Sequence, residues 1–371
     1  MVVIPSPVVS DRLFSGGLSM HMQPIVDLQT GRLNRVEALA RLNLSDGTVM
    51  FPDDFLPPLT PVEIDRLFRE GLDQSLGHLA QWDALGVEVT ISVNVAPATL
   101  LHDDCLHWVS EALERYGIEP RRLELELLES DSMSQRAQSS VVERLLELGV
   151  GLAMDDLGSG YSSLKRLSTL PFRSIKLDRD LLVDIRRKPT QTLSLIATLR
   201  QLGRDFGVSV VVEGLEDQGM TEAAAVLGVA LGQGYFLAKP MPADALPTWI
   251  ANYQYPLHAG RIVTNLGALA YHWQYSRWDW RHVLNLERCP LTAYLAATLT
   301  AADTSTGVST DTAAVQHWHA LQHGSGGEQG GGEQGSGGEQ GSGGEQGSDA
   351  QRLAASRHLV DWFEERVRAE R

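Results

Sequence analysis

Carboxylates, amides and one lysine recur at strand-like runs along the chain: Glu37 within one run, Asn94 at the end of the next, Glu126 in another, the adjacent pair Asp155 and Asp156, then Lys176, then Glu213. A carboxylate at a buried strand end is costly unless it is paired or bound to a cation. Taken singly, each residue has a plain reading: Glu37 as a salt-bridged strand residue, Asn94 as a turn former, Lys176 as an exposed lysine. A whole series calls for a common explanation. If the strands are parallel and close into a barrel, their ends converge on one mouth, and these side chains share it. Oxygen donors without His or Cys suit a hard divalent ion, Mg2+ or Mn2+, and two adjacent aspartates suit a pair of ions with one bridging carboxylate.

The elements that must position them are readable up to about Tyr255. Short apolar runs at 20–26, 33–41, 87–95, 122–128, 150–156, 173–178, 208–214 and 230–237 alternate with amphipathic stretches. Period-2 runs separated by period-3.6 patterns signal repeated strand-helix units. Helices are expected over 61–82 with Pro61 at a first helical position, over 134–149 ending at Gly149, and over 190–207 ending at Gly207. About eight strands favour an α/β barrel over an open doubly wound sheet.

Composition narrows the function classes. With 43% hydrophobic residues the chain can bury a substantial core, which excludes a wholly disordered acidic protein. A formal charge of −16 disfavours non-specific capture of a nucleic acid polymer or an anionic membrane surface. A phosphate-bearing ligand would need local neutralisation by cations, backbone amides or a few basic side chains. Cys105 and Cys289 lie far apart, no secretory leader is read at the start, and no long apolar run suggests a membrane span, so a soluble cytoplasmic protein without disulfides is expected.

Eight motifs in order make the reading specific: QPIVDLQTG at Gln23, EALAR at Glu37, SVNVA at Asn94, ELLES at Glu126, DDLGSGYSSL at Asp155, IKLD at Lys176, VEGLED at Glu213 and GQGYFLAKPMP at Gln233. Over about residues 15–255 the chain resembles the EAL-domain family of cyclic di-GMP phosphodiesterases. The resemblance implies a modified TIM (β/α)8 barrel whose first strand runs against the others, often as a homodimer. It implies that Glu37, Asn94, Glu126 and Asp155 hold one divalent ion, and Asp155, Asp156 and Glu213 a second. A water between the ions would be the nucleophile, with Lys176 holding it and linear pGpG as product; Lys176, Glu213, Asp155 and Asp156 would carry the catalysis. Gln23, Arg41 and Gln233 match substrate-binding positions, Glu129 a glutamate that braces the loop from Asp156 to Ser163, and Asp178 a supporting role away from the ions. The sequence departs from the family pattern at Leu128, Leu157, Ser159 and Ala40, none of them a matched metal ligand, and in FLPPLTPVEIDRL, which lacks a customary acidic residue.

Beyond Tyr255 the alternation stops and aromatics crowd into 271–280, which marks a helical accessory module over 256–323. Residues 324–348 repeat GGEQ with almost no apolar side chain and read as a flexible linker. Residues 349–371, with Leu353, Leu359, Val360, Phe363 and Val367 at near-helical spacing, read as an amphipathic helix. His272, His282, Cys289, His317, His319 and His323 gather in this module. The run around Cys289 and HWHALQH is faintly similar to chemoreceptor zinc-binding domains. The spacing does not decide between zinc binding and incidental surface histidines on a helical domain, and the second is the expectation.

Overall fold

The computed structural model describes residues 6–127, 135–157, 167–258, 260–277, 286–300, 312–323 and 343–370. They belong to two compact units. One comprises Met1–Leu181, Thr198–Asp217 and Val229–Pro256, and the other Leu182–Ala197, Gln218–Gly228 and Leu257–Arg371, so neither is one continuous stretch of sequence.

The first unit contains β1 (Leu18–Asp27), β2 (Leu33–Asn43), β3 (Val49–Met50), β4 (Thr90–Val95), β5 (Leu123–Leu127), β6 (Gly151–Leu157), β7 (Ser174–Leu177), β8 (Ser209–Val212), β9 (Leu231–Gly232) and β10 (Met241–Pro242). In the sheet β1 is followed by β9, β8, β7, β6, β5, β4 and β2, and a further β1–β2 pairing closes these eight strands into a barrel, with β3 and β10 as short flanking strands. Strand β1 is antiparallel to both of its barrel neighbours, and every other barrel pairing is parallel. The closed barrel agrees with the strand-helix alternation of the sequence, and the reversed first strand with what the family resemblance implies.

Local chemistry accounts for the helices between the strands. Helix α1 (Pro61–Ala84) starts at a capping box: the Glu63 N–H donates to Thr60 Oγ1 at 3.4 Å and the Thr60 N–H to Glu63 Oε2 at 2.7 Å. It buries Leu67, Phe68, Leu72, Leu76, Leu79 and Trp82, a stripe at i, i+3/i+4 spacing. Helix α2 spans Cys105–Tyr116, α3 Gln135–Leu148 and α4 Pro189–Phe206. Helices α3 and α4 stop at Gly149 (φ 101°) and Gly207 (φ 68°), the left-handed conformation that glycine adopts without strain.

Strand periodicity divides the side chains into two layers. In β5, LELEL, Leu123, Leu125 and Leu127 lie on one face and Glu124 and Glu126 on the other, and all five are buried. The outer set continues with Ile91, Val93, Val95, Leu152, Met154, Ile175, Leu177, Val210 and Val212, all buried. The inner set is largely polar. Low in the barrel the Arg35 guanidinium pairs with Glu124 and donates to Ser174 Oγ at 3.2 Å, while the Ser174 hydroxyl donates to Glu124 Oε1 at 2.6 Å. The apolar core is therefore the shell between strands and helices, apart from a small inner cluster of Ile25, Val211 and Leu231.

One expected strand is much shorter than its sequence suggests. The run 230–237 pairs only as Leu231–Gly232. A Cβ at Gly234 would collide with the Leu215 backbone, and the chain turns there, with Leu237 and Ala238 N–H groups returning to the Gly234 carbonyl at 3.1 and 2.9 Å.

The second unit is helical: α5 (Gln218–Val226), α6 (Asn265–Tyr275), α7 (Pro290–Thr300), α8 (Thr312–Gln322) and α9 (Gly343–Ala369). The Glu222 carboxylate accepts the N–H groups of Val263 and Thr264 at 3.0 and 2.9 Å, and Thr264 Oγ1 caps α6 by accepting from Gly267 N at 2.9 Å. On α9, Leu359, Phe363 and Val367 are buried as the amphipathic pattern implies, whereas Leu353 is exposed. This helix begins at Gly343, inside the stretch read as linker; residues 324–342 lie outside the described set. The histidines are not all at the surface as expected: His272 and His319 are buried and His317 is exposed, while His282 lies outside the described residues. No described helix is long and apolar enough to cross a membrane.

Candidate active site at the barrel mouth

Register explains how residues far apart in sequence meet. Gln23 on β1 lies opposite Glu37 on β2, so the two share a face. Glu37 pairs with Ser92, and Asn94 lies two residues further along the same face of β4. Asn94 pairs with Glu126; Glu126 pairs with Ala153, two residues before Asp155; Ala153 pairs with Ser174, two before Lys176; Lys176 pairs with Val211, two before Glu213; Val211 pairs with Leu231, two before Gln233. Steps of nought or two preserve side-chain parity, so the stagger of the barrel delivers every one of these groups to its interior, near the C-terminal ends of the parallel strands.

Lys176 is the hub. Its Nζ lies 2.7 Å from Glu213, 3.0 Å from both Glu37 and Glu126, and 3.4 Å from Asp155. Asn94 Nδ2 donates to Glu37 Oε1 at 3.1 Å, and Gln233 Nε2 donates to Glu37 Oε2 at 2.7 Å and to Gln23 Oε1 at 3.0 Å. Gln23 Nε2 in turn donates to the Ala238 carbonyl at 3.2 Å. This chain of amides fixes the Glu37 carboxylate from one side while Lys176 holds it from the other.

The electrostatics follow from burial and charge. Burial raises Glu126 well above the ordinary carboxylate range, and the neighbouring Glu37 charge pushes it the same way. Burial also opposes ionisation of Glu37, but the Lys176 ammonium and the Gln233 hydrogen bond outweigh it and hold its pKa down. Glu213 is raised to about 7, chiefly by burial, against the pull of Lys176. Burial disfavours the charged form of Lys176, and the surrounding carboxylates, Glu126 foremost, reverse this and lift its pKa well above the usual amine value. Four carboxylates around one ammonium leave an excess of negative charge in a low-dielectric site, which further cations can relieve. Oxygens of Glu37, Glu126 and Asp155 lie within 4.8 Å of one another, an all-oxygen set of the kind a hard divalent ion takes.

Above the carboxylates opens a cavity of about 350 Å³, lined by Glu37, Asn94 and Asp155 and by apolar groups including Leu56, Leu67 and Phe68. Arg41 is on the same β2 face as Glu37. Its guanidinium lies 4.7 Å from the Phe51 ring centre, and Nη1 donates to the Ala40 carbonyl at 2.8 Å. Asp178 accepts the Asp180 N–H at 2.8 Å and so caps the turn that leaves β7. The Asp156 side chain, Glu129 and the loop 158–163 lie outside the described residues. The residue pattern did not show the lower Arg35–Glu124–Ser174 network, although the alternation of LELEL, with a second inward glutamate, was the available signal.

A closed barrel with a reversed first strand and an acidic, cation-ready mouth defines a narrow class of α/β proteins. Residues 8–240 match the family model described as EAL domain, and the chain belongs to that family. It is similar to the cyclic di-GMP phosphodiesterase RocR of Pseudomonas aeruginosa, with 34% identity over 62% of this chain and 59% of RocR. It is also similar to the oxygen sensor protein DosP of Escherichia coli, with 29% identity over 66% of this chain and 31% of DosP. The chain thus spans between about a third and three-fifths of the length of these relatives. Among solved structures it resembles the PaMucR phosphodiesterase in complex with c-di-GMP, with 31% identity, a TM-score of 0.60 and coverage of 64% of this chain and 96% of that one.

Proposed function

We propose that this protein hydrolyses cyclic di-GMP to linear pGpG in a reaction that depends on Mg2+ or Mn2+. The observation that carries the reading is the convergence of Glu37, Glu126, Asp155 and Glu213 on Lys176 at one barrel mouth, with Asn94 bonded to Glu37, together with similarity to RocR and to the c-di-GMP complex of PaMucR. Hydrolysis joins a water oxygen to phosphorus and breaks one P–O3′ bond, the released 3′ oxygen taking a proton. Divalent cations, when bound, offset phosphodiester charge and make water more acidic.

This chain's own residues supply the rest. Glu37, Asn94, Glu126 and Asp155 would hold one ion, and Asp155, Asp156 and Glu213 the other. Lys176 Nζ aims N–H donors at the reacting centre and adds positive charge where negative charge grows. Gln233 and Gln23 keep Glu37 in place, and Arg41, stacked on Phe51, offers a guanidinium to a phosphate or a guanine. The apolar wall of the adjoining cavity gives a purine face somewhere to lie.

The test is incubation of the purified protein with cyclic di-GMP and Mg2+ or Mn2+, with separation of the products by chromatography. Linear pGpG from the wild type and none from Glu37→Ala supports the reading. Binding without turnover under both cations would make the protein a cyclic di-GMP receptor instead.

A further inference from the structure

The helical unit holds a second group of ligand-type side chains that takes no part in the barrel chemistry. Cys289 immediately precedes α7, His319 lies in the last turn of α8, and His323 follows that helix. The four-residue spacing of the two histidines is that of neighbours on one helix face. The Cys289 sulfur and one ring nitrogen from each histidine lie within 4.8 Å of one another. Cys289 and His319 are 3% and 5% exposed, so the group is enclosed and not a surface coincidence.

Hydrogen bonding sets the tautomer of His319. Thr292 Oγ1 lies 2.6 Å from the Leu286 carbonyl oxygen, a separation that requires a proton between the two, and the hydroxyl has only one to give. Toward His319 Nε2, 2.9 Å away, Thr292 can therefore only accept. Nε2 carries the ring proton, and Nδ1 is left as the lone-pair nitrogen. Nδ1 is buried and has no hydrogen-bond partner. A buried imidazole lone pair without a proton or a cation is costly. An oxygen that holds one ring N–H of a histidine and leaves its other nitrogen a bare, buried lone pair is the arrangement that supports a metal-ligating histidine.

We propose that Cys289 Sγ, His319 Nδ1 and His323 bind a Zn2+ ion in the helical unit. One thiolate and two imidazoles form a borderline-soft donor set, the opposite of the all-oxygen barrel mouth, so the two sites select different metals. Bonds of about 2.0 Å to nitrogen and 2.3 Å to sulfur bring the three atoms onto one ion after a small inward closing of the side chains. Three protein ligands leave the fourth tetrahedral position to water or an exogenous ligand. His272, buried nearby, is engaged through Nε2 with the Ser356 hydroxyl and carbonyl at 3.1 and 3.3 Å and stands outside the ligand set. The ion would tie the start of α7 to the end of α8.

The test uses the full chain, stripped of metal and kept in excess Mg2+ so that the oxygen site is satisfied, and titrated with Co2+ as a spectroscopic probe. One equivalent should produce thiolate-to-cobalt charge-transfer absorption with the visible bands of a tetrahedral ion, and Zn2+ should abolish both. Cys289→Ser should lose the charge-transfer band, and His319→Ala should bind about tenfold or more weakly. Cys105→Ala and the exposed-residue variant His317→Ala should behave as wild type. If a variant fails to fold by circular dichroism, the wild type and Cys105→Ala decide alone. Absence of a charge-transfer band in either folded protein, or its persistence in Cys289→Ser, overturns the proposal.

Discussion

Lys176 illustrates how much rests on one side chain. Its ammonium is nearly inaccessible and touches four carboxylates, three on strands and Glu213 just past the end of β8. Lys176→Met removes the only cation among the described residues in that cluster, and breaking a buried ion pair from one side costs about 3–5 kcal/mol. In chelator, urea unfolding of the variant should therefore show a loss of that size. With Mg2+ restored, turnover should still fall by about a hundredfold or more if Lys176 donates to developing charge as proposed. Gln233→Ala is milder. It releases Glu37 from one hydrogen bond, and turnover should drop by about tenfold with little change in unfolding midpoint. The sequence disclosed which residues to examine here but not their arrangement: Lys176 reads in isolation as an exposed lysine, and its burial among carboxylates arises only once four strand registers are fixed.

Elements show where local rules suffice and where they fail. Pro61, Gly149 and Gly207 mark helix ends through backbone chemistry confined to a few residues, and the structure places the ends there. The run after Ala230 misleads because its apolar character imitates a strand, while the deciding fact is the approach of Gly234 to the Leu215 backbone, a contact between separate segments. Gly234→Ala should destabilise the protein by about 1–3 kcal/mol through overpacking, and it should lower turnover because the neighbouring Gln233 would leave Glu37; thermal unfolding and steady-state kinetics at saturating cation measure the two effects. In the helical unit, burial first, and then the charge of His323, depresses His272 to about 4 from an ordinary histidine value near 6.5, while its bond to Ser356 resists. The folded state therefore takes up this proton later than the unfolded chain. The contribution of neutral His272 is present above about pH 6.5 and is lost as the pH falls toward 4, at most about 3 kcal/mol. The stability gap between wild type and His272→Asn, measured by denaturant unfolding in chelator, should narrow over that interval; a constant gap would refute the assignment.

Across the whole molecule, the crowded carboxylates should make divalent ions a stabilising ligand, whatever their part in the proposed chemistry. Addition of Mg2+ at about a hundred times its dissociation constant should raise stability by about 2.7 kcal/mol, visible as an upward shift in thermal midpoint, and Glu37→Ala should show little of it. Calcium should bind yet support far less turnover, because its looser coordination positions reactants poorly. The barrel was legible from the alternation of strand and helix patterns, and its reversed first strand only as what the family resemblance implies. The division into two units was not, since Leu182–Ala197 and Gln218–Gly228 join the second unit from within the barrel sequence, and affiliation of that kind depends on which surfaces meet after folding.

The separation of an oily outer layer from a charged inner one has a genealogical corollary. Cohesion resides chiefly in an outer layer of leucines and valines rather than in the carboxylates, so a descendant stripped of Glu37 or Asp155 would inherit the scaffold. Natural selection could then retire the hydrolytic trade and keep the vessel for recognition alone.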